Sequence, residues 1–252
     1  MVLGCILPVA LHNGQMHFLF GKECEMEDSA PGWSDFGGGC ENCADSDTVK
    51  QRTKKIFDTA VREGVEESTG FLGTEQTIKD TLIFSASVAN TLRQQVPNAK
   101  YSECESISTN GLTGLTTYFL PCQYDPNLPV YYNRNHALLW SSMDKKRMNM
   151  TKLFEKSEIG WFTEADIIRR RGEFRWFYRD ILDLILLRIK SPLFKKFVQL
   201  STMTNRKIQG QRVYKIQSAT NKPHGVSLRK KRITVYKRQT SSKAFRTRRH
   251  KR

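Results

Sequence analysis

Residues Thr59 to Phe71 read TAVREGVEESTGF, and they follow a glycine run, Gly37, Gly38 and Gly39, inside the stretch WSDFGGG. Glu63, Glu66 and Glu67 are spaced as i, i+3 and i+4. On a helix each residue advances about 100°, so the three carboxylates share one face and repel one another. An ordinary solvated acidic face places Lys or Arg four residues after its acids, and none stands there. Gly64 sits within the same helical stretch at a cost of about 1 kcal/mol against alanine, which points to a close backbone approach. Hard divalent cations relieve carboxylate repulsion, and Mg²⁺ takes carboxylate and phosphate oxygens together. The glycines supply the complement, a turn whose backbone can come near a ligand with no side chain in the way. The chemistry suggested is the grip of a phosphate chain through metal ions.

These residues resemble the Nudix box, whose pattern is G-x5-E-x7-R-E-U-x-E-E-x-G-U with U a bulky aliphatic residue. Nudix enzymes hydrolyse a nucleoside diphosphate linked to another moiety, using Mg²⁺ or Mn²⁺. Arg62, Glu63, Glu66 and Glu67 match the R-E-U-x-E-E core. The resemblance implies that the three glutamates bind metal, that one of them also acts on the attacking water, and that Arg62 braces the loop and helix by pairing with a glutamate. The segment FEKSEIGWFTEADI resembles a downstream strand and helix of the family, in which Glu155 stands where some members place a further metal ligand or base. The likeness covers about residues 3–190 and implies the Nudix α/β/α sandwich, an α+β fold with a mixed sheet. Departures are visible. Lys54 occupies the place of the first box glutamate, and the longer link after Gly39 could have moved that acid to Glu41, Asp45 or Asp47. Gly64 replaces the aliphatic residue, Thr69 replaces the glycine, and Gly70 comes one residue late. The wording is most similar to Nudix proteins of giant DNA viruses, some of which remove the cap from messenger RNA.

Several elements must position these groups. Residues 5–20 read as a hairpin around Asn13-Gly14, with Pro8 suggesting an edge or a bulge. Residues 22–35 read as a loop. Asp45, Ser46 and Asp47 offer caps for a helix from about Thr48 to Ser68. On it Phe57, Val61 and Val65 form an apolar face roughly opposite the acids. Strands are expected at 81–89, 115–124 and 158–162, a helix opens at 163–166, and a longer one spans 174–189. The Pro- and Asn-bearing stretch 125–150 reads as a loop. Strands and helices alternate without a strict βαβ rhythm, which suggests α+β or a sandwich with a mixed sheet.

Charge divides the chain in two. Residues 1–200 carry a net charge of −1, and residues 201–252 carry +17 with no acid. A hydrolase domain over 1–200 and a basic, disordered tail over 201–252 are therefore expected, since the tail has too few large apolar groups to fold alone. Arg229, Lys230, Lys231, Arg232, Lys237, Arg238, Arg246, Arg248 and Arg249, with Tyr236 and Phe245 interleaved, could bind RNA phosphates while aromatics stack on bases. The same run could instead serve solubility or nuclear localisation. RNA is the more economical partner for a diphosphate-cleaving domain, because a cap is a diphosphate-bearing end on a long polyanion. The apolar runs are too short or too charged to span a bilayer, so a soluble, intracellular protein with no membrane partner is expected, in the host cytoplasm or, if the tail is a signal, the nucleus. The six cysteines are too sparse for a disulfide scaffold; free thiols are the default, and Cys40-x-x-Cys43 lacks an evident second pair for zinc.

Three functions follow from different classes. The first is a decapping hydrolase acting on capped RNA. The second is a hydrolase of small nucleoside diphosphate derivatives or inositol pyrophosphates. The third is a catalytically weakened domain that binds nucleic acid, a reading that Lys54 keeps alive.

Overall fold

Strands β1 (Leu3–His12) and β2 (Gln15–Glu23) form the expected hairpin. Asn13 and Gly14 both take positive φ, 49° and 77°, as a two-residue turn between twisted strands requires. The computed structural model describes residues 2–25, 31–96, 104–109, 114–144, 146 and 155–203. The chain divides into a unit spanning Met1–Gln211 and another spanning Arg212–Arg252. Every residue singled out above for nucleic-acid binding lies outside the described residues.

The fold is α+β with a mixed sheet of seven strands. After the hairpin come β3 (Trp33–Ser34), β4 (Phe36–Gly39), β5 (Ser106–Ser108), β6 (Leu115–Pro121) and β7 (Lys156–Phe162). β1 runs parallel to β6 and antiparallel to β2 and β4; β7 and β3 both pair with β2. Pro8 is therefore neither at an edge nor in a bulge. It lies where β1 passes from β4, paired through Ile6, to β2, paired from Val9. Val9 turns its carbonyl to β6, accepting from the Cys122 N–H. Pro8 thus faces the handover, where a missing N–H leaves no ladder bond unmade.

Alternation along the strands separates two cores. Cys5, Leu7, Val9, Phe18 and Phe20 point to a face covered by helix α5 (Arg179–Ile189) and by a further helical stretch over 192–203. Ile6, Leu19 and Phe36 point the other way, towards α1 (Val49–Glu67) and α3 (Leu128–Ser142). Helix α2 (Glu75–Gln95) contributes to both, Ile78 and Leu82 to one and Ala89 and Leu92 to the other. Among the described residues no helix is long and apolar enough to cross a membrane.

Several expectations are corrected. The strand expected at 81–89 is part of α2. Its buried positions, Ile78, Leu82, Ser85, Ala89 and Leu92, recur every three or four residues, a period visible only in a window longer than the β-rich run itself. Residues 128–142 of the expected loop form α3, whose Pro129 falls in the first turn, where a backbone N–H has no helical partner anyway. The expected loop over 22–35 contributes the end of β2 and all of β3. The long helix begins at Arg179 rather than 174, because Phe174 bridges Trp33 and the Arg175 N–H bonds to the Trp33 carbonyl at 3.2 Å. Single 3₁₀ turns at Arg171–Glu173 and Trp176–Tyr178 flank that bridge. α1 is capped by Thr48 with Gln51, not by the acids before it. A short helix α4 (Glu164–Arg169) opens at Thr163 with a capping box to Asp166. Cys40 and Cys43, expected as thiols, form a disulfide, while Cys5, Cys24, Cys104 and Cys122 remain thiols as expected.

Candidate active site

Helix α1 lies against β1 and β4, and Gly64 permits the approach: a Cβ there would overlap the Ile6 side chain. The expected apolar face does meet a core, Val61 fully buried and Phe57 and Val65 partly buried against it, but the acids are not left to solvent: Glu63 and Glu67 are buried too, with Ile56, Ala60 and Gly64. Glu66, at the outer edge of the same turn, stays half-exposed.

The three glycines form strand β4 rather than an open turn. They receive the acids. The Gly37 N–H donates to Glu67 Oε2 at 2.7 Å. A Cβ on Gly38 would sit 2.5 Å from the Glu63 carboxyl, so only glycine leaves room for that side chain. Arg62 closes the group from outside, donating to Glu63 at 2.5 Å and to Glu66 at 2.7 Å.

Behind Glu67 lies a buried charge network that spacing did not disclose. The Lys156 ammonium, at the start of β7, stands 3.4 Å from Glu67 Oε1, donates to Ser34 Oγ at 3.1 Å, and pairs with Glu23 at the end of β2. Arg175 reaches Glu23 from the far side at 2.6 Å. Burial opposes the charge on Lys156, but Glu67 and Glu23 outweigh it, and its pKa is raised. Burial pushes the Glu67 carboxyl well above the usual carboxylate range; Lys156 pulls it back, while Glu23, Glu155 and Glu63 add to the rise. Glu155 therefore belongs to the same electrostatic cluster. The Tyr132 hydroxyl on α3 lies 3.1 Å from the Glu67 carbonyl and 2.8 Å from the Lys156 carbonyl, tying the end of α1 to β7.

Lys54 is exposed and pairs with Asp58 at 2.7 Å. Asp47 is occupied with Lys55, Asp45 is solvated near Arg52, and Glu41 is exposed. Asp45 and Asp47 stand just before the first turn of α1, and at about 1.5 Å per residue they lie far along the axis from Glu63. A buried acid does lie close by in sequence to the glycines: Asp35 accepts from the Thr117 hydroxyl at 2.7 Å, and burial raises its pKa to about 6.

The position at which the box pattern has glycine also acquires a physical reason. Thr69 has φ of +48°, in the left-handed region, and its buried hydroxyl has no hydrogen-bond partner. The Thr69 and Gly70 N–H groups return to the Glu66 and Val65 carbonyls and end the helix.

Among the described residues no group of three or more His, Cys, Asp or Glu is arranged to hold a metal ion. The donor chemistry nonetheless suits a hard cation. Glu23, Glu155 and Glu63 all act on Glu67, Glu66 is half-open to solvent, and Arg62 pairs with Glu63 and Glu66 where a cation would. Comparison of the chain with family models, curated proteins and solved structures finds no match.

Proposed function

We propose that this protein is a Mg²⁺- or Mn²⁺-dependent hydrolase of a diphosphate linkage, of Nudix type, acting on nucleotide or capped-RNA substrates. The observation that carries the reading is the seating of Glu67 and Glu63 on glycine strand β4, with Glu66 turned outward beside them. Carboxylates fixed in this way are pre-positioned ligands rather than a solvated acidic face. Glu63, Glu66 and Glu67 would hold the metal, with Glu155 as a further carboxylate close to them. The cation, when bound, neutralises charge on the diphosphate and activates water. Arg62 restrains Glu63 and Glu66 until then. Lys156 fixes Glu67 from behind. The basic C-terminal segment supplies affinity for a polyanionic chain, inside the cell and, if it also acts as a localisation signal, in the nucleus.

A second reading rests on Lys156. It already compensates Glu67, as in a domain that binds nucleic acid and no longer needs metal. One experiment separates the two: cap-labelled RNA, a free-nucleotide panel and an inositol pyrophosphate are incubated with Mg²⁺ or Mn²⁺, with wild type and Glu66→Gln. Hydrolysis of a diphosphate bond is expected, with a loss of about 100-fold in the variant, the upper end of what losing a supporting group alone costs a metal site. Equal turnover by both proteins, or none on any substrate, would overturn the reading.

A further inference from the structure

A cleft of about 460 Å³ opens between Lys22, Trp33, Glu173, Phe174, Trp176 and Arg179. That size falls in the range of small-molecule sites. Trp33 and Phe174 form its floor, both almost wholly buried and bridged to each other. Trp176 is the opposite case: its indole is 71% exposed, the largest side chain so placed on the described surface. Trp176 stands in a single 3₁₀ turn, held on one side by the Trp33–Phe174 bridge and on the other by α5.

One hydrogen-bond donor at this cleft is unsatisfied. The Arg179 Nε is buried with no hydrogen-bond partner, although buried donors almost always find one. The Trp33 N–H faces Glu173, whose carboxylate also accepts from Arg170 in two bonds of 3.0 and 2.7 Å. With Glu173 neutralised by Arg170, Lys22 and Arg179 leave the lining net positive. An exposed indole, a buried guanidinium N–H without a partner and positive charge together call for a planar ligand with an anionic group.

We propose that this cleft binds a nucleoside phosphate, the base stacked on Trp176 and the phosphate held by Lys22 and Arg179. Lys22 adjoins Glu23, and Trp33 adjoins Ser34, so both strands lead directly into the network behind Glu67. The cleft then holds the nucleotide part of the substrate of the hydrolase proposed above. It rests on that reading for its role but not for its binding.

The test uses the full chain at physiological salt with EDTA present, so that metal cannot contribute. ADP is titrated by calorimetry against wild type, Trp176→Ala and Lys22→Ala, with ribose 5-phosphate as a probe lacking the base. Trp176→Ala should weaken ADP about tenfold or more, as stacking on one aromatic predicts, and should leave ribose 5-phosphate unchanged. Lys22→Ala should weaken both. Capped and uncapped oligonucleotides then distinguish a cap nucleotide from a free one: only the former makes the cap itself sensitive to Trp176. Equal ADP affinity of Trp176→Ala and wild type would overturn the proposal, whatever the hydrolysis assay shows. Trp176-dependent binding in a protein that hydrolyses nothing would instead remove the hydrolase reading and keep the cleft.

Discussion

Lys156 holds its ammonium 3.4 Å from the Glu67 carboxylate, and both side chains are almost wholly shielded from water. The two residues come from the first strand residue after one connection and the last turn of α1, and neither could be buried as a charge without the other.

Removal of one partner should therefore cost more than removal of both charges would suggest. Lys156→Met is expected to lower stability by about 3 kcal/mol, because Glu67 loses its cation while Glu23 retains Arg175. Glu67→Gln should cost less, since its side-chain oxygen still accepts from Gly37. The double variant should lose clearly less than the sum of the two. Urea unfolding of the four proteins measures this, and strictly additive losses would show the pair to be energetically uncoupled.

Asp35 gives the folded protein a pH dependence of known sign. Burial raises its pKa from 3.8 to about 6, so between those values the folded chain retains a proton that the unfolded chain has released. This group's contribution is full below about pH 3.8 and is lost as pH rises through about 6, amounting to about 3 kcal/mol. Asp35→Asn, which mimics the neutral acid and can still accept from Thr117, should flatten that slope and gain most over wild type near pH 8. Thermal melts of both proteins from pH 4 to pH 8 provide the check; parallel profiles would contradict it.

Thr69 carries strain that its sequence position alone can relieve. A β-branched residue at φ +48° is unfavourable by about 1–2 kcal/mol, and its hydroxyl is buried without a partner. Thr69→Gly should stabilise the protein by about 1 kcal/mol, the extra chain entropy of glycine offsetting part of the gain. A lower melting temperature for the variant would refute the assignment.

The basic segment can be removed without cutting into the folded body only beyond its boundary. Ser201 is completely buried, so truncation at residue 200 would expose a core position; truncation after Gln211 keeps the first unit whole. That shorter protein should melt like the full chain. Its affinity for RNA should fall sharply and vary less with salt, because fewer counterions are released. Cap release from long RNA should suffer through KM, while turnover of a short cap analogue should hardly change. An unchanged KM for long RNA at low salt would exclude the tail as an RNA clamp.

What the sequence determined by itself is whatever is encoded between near neighbours. Asn13-Gly14 set the hairpin, the i, i+3, i+4 spacing put Glu63, Glu66 and Glu67 on one turn, and Thr163 with Asp166 opened α4. Each of these rests on backbone geometry within a few residues, so local pattern suffices. The direction in which that turn of glutamates faces was decided only by the tertiary structure, because it depends on how closely Gly64 lets α1 approach Ile6. The same holds for the role of the glycines. Their open-turn appearance is local, but β4 exists only because β1 is there to pair with it. The charges that govern Glu67 are less legible still. Glu23, Lys156 and Arg175 are brought together across separations of 133 and 152 residues, and a buried charge is stable only beside its partner. No spacing along the chain records that condition; it is met only when the end of β2, the start of β7 and the segment before α5 have closed around one small volume from which water is excluded.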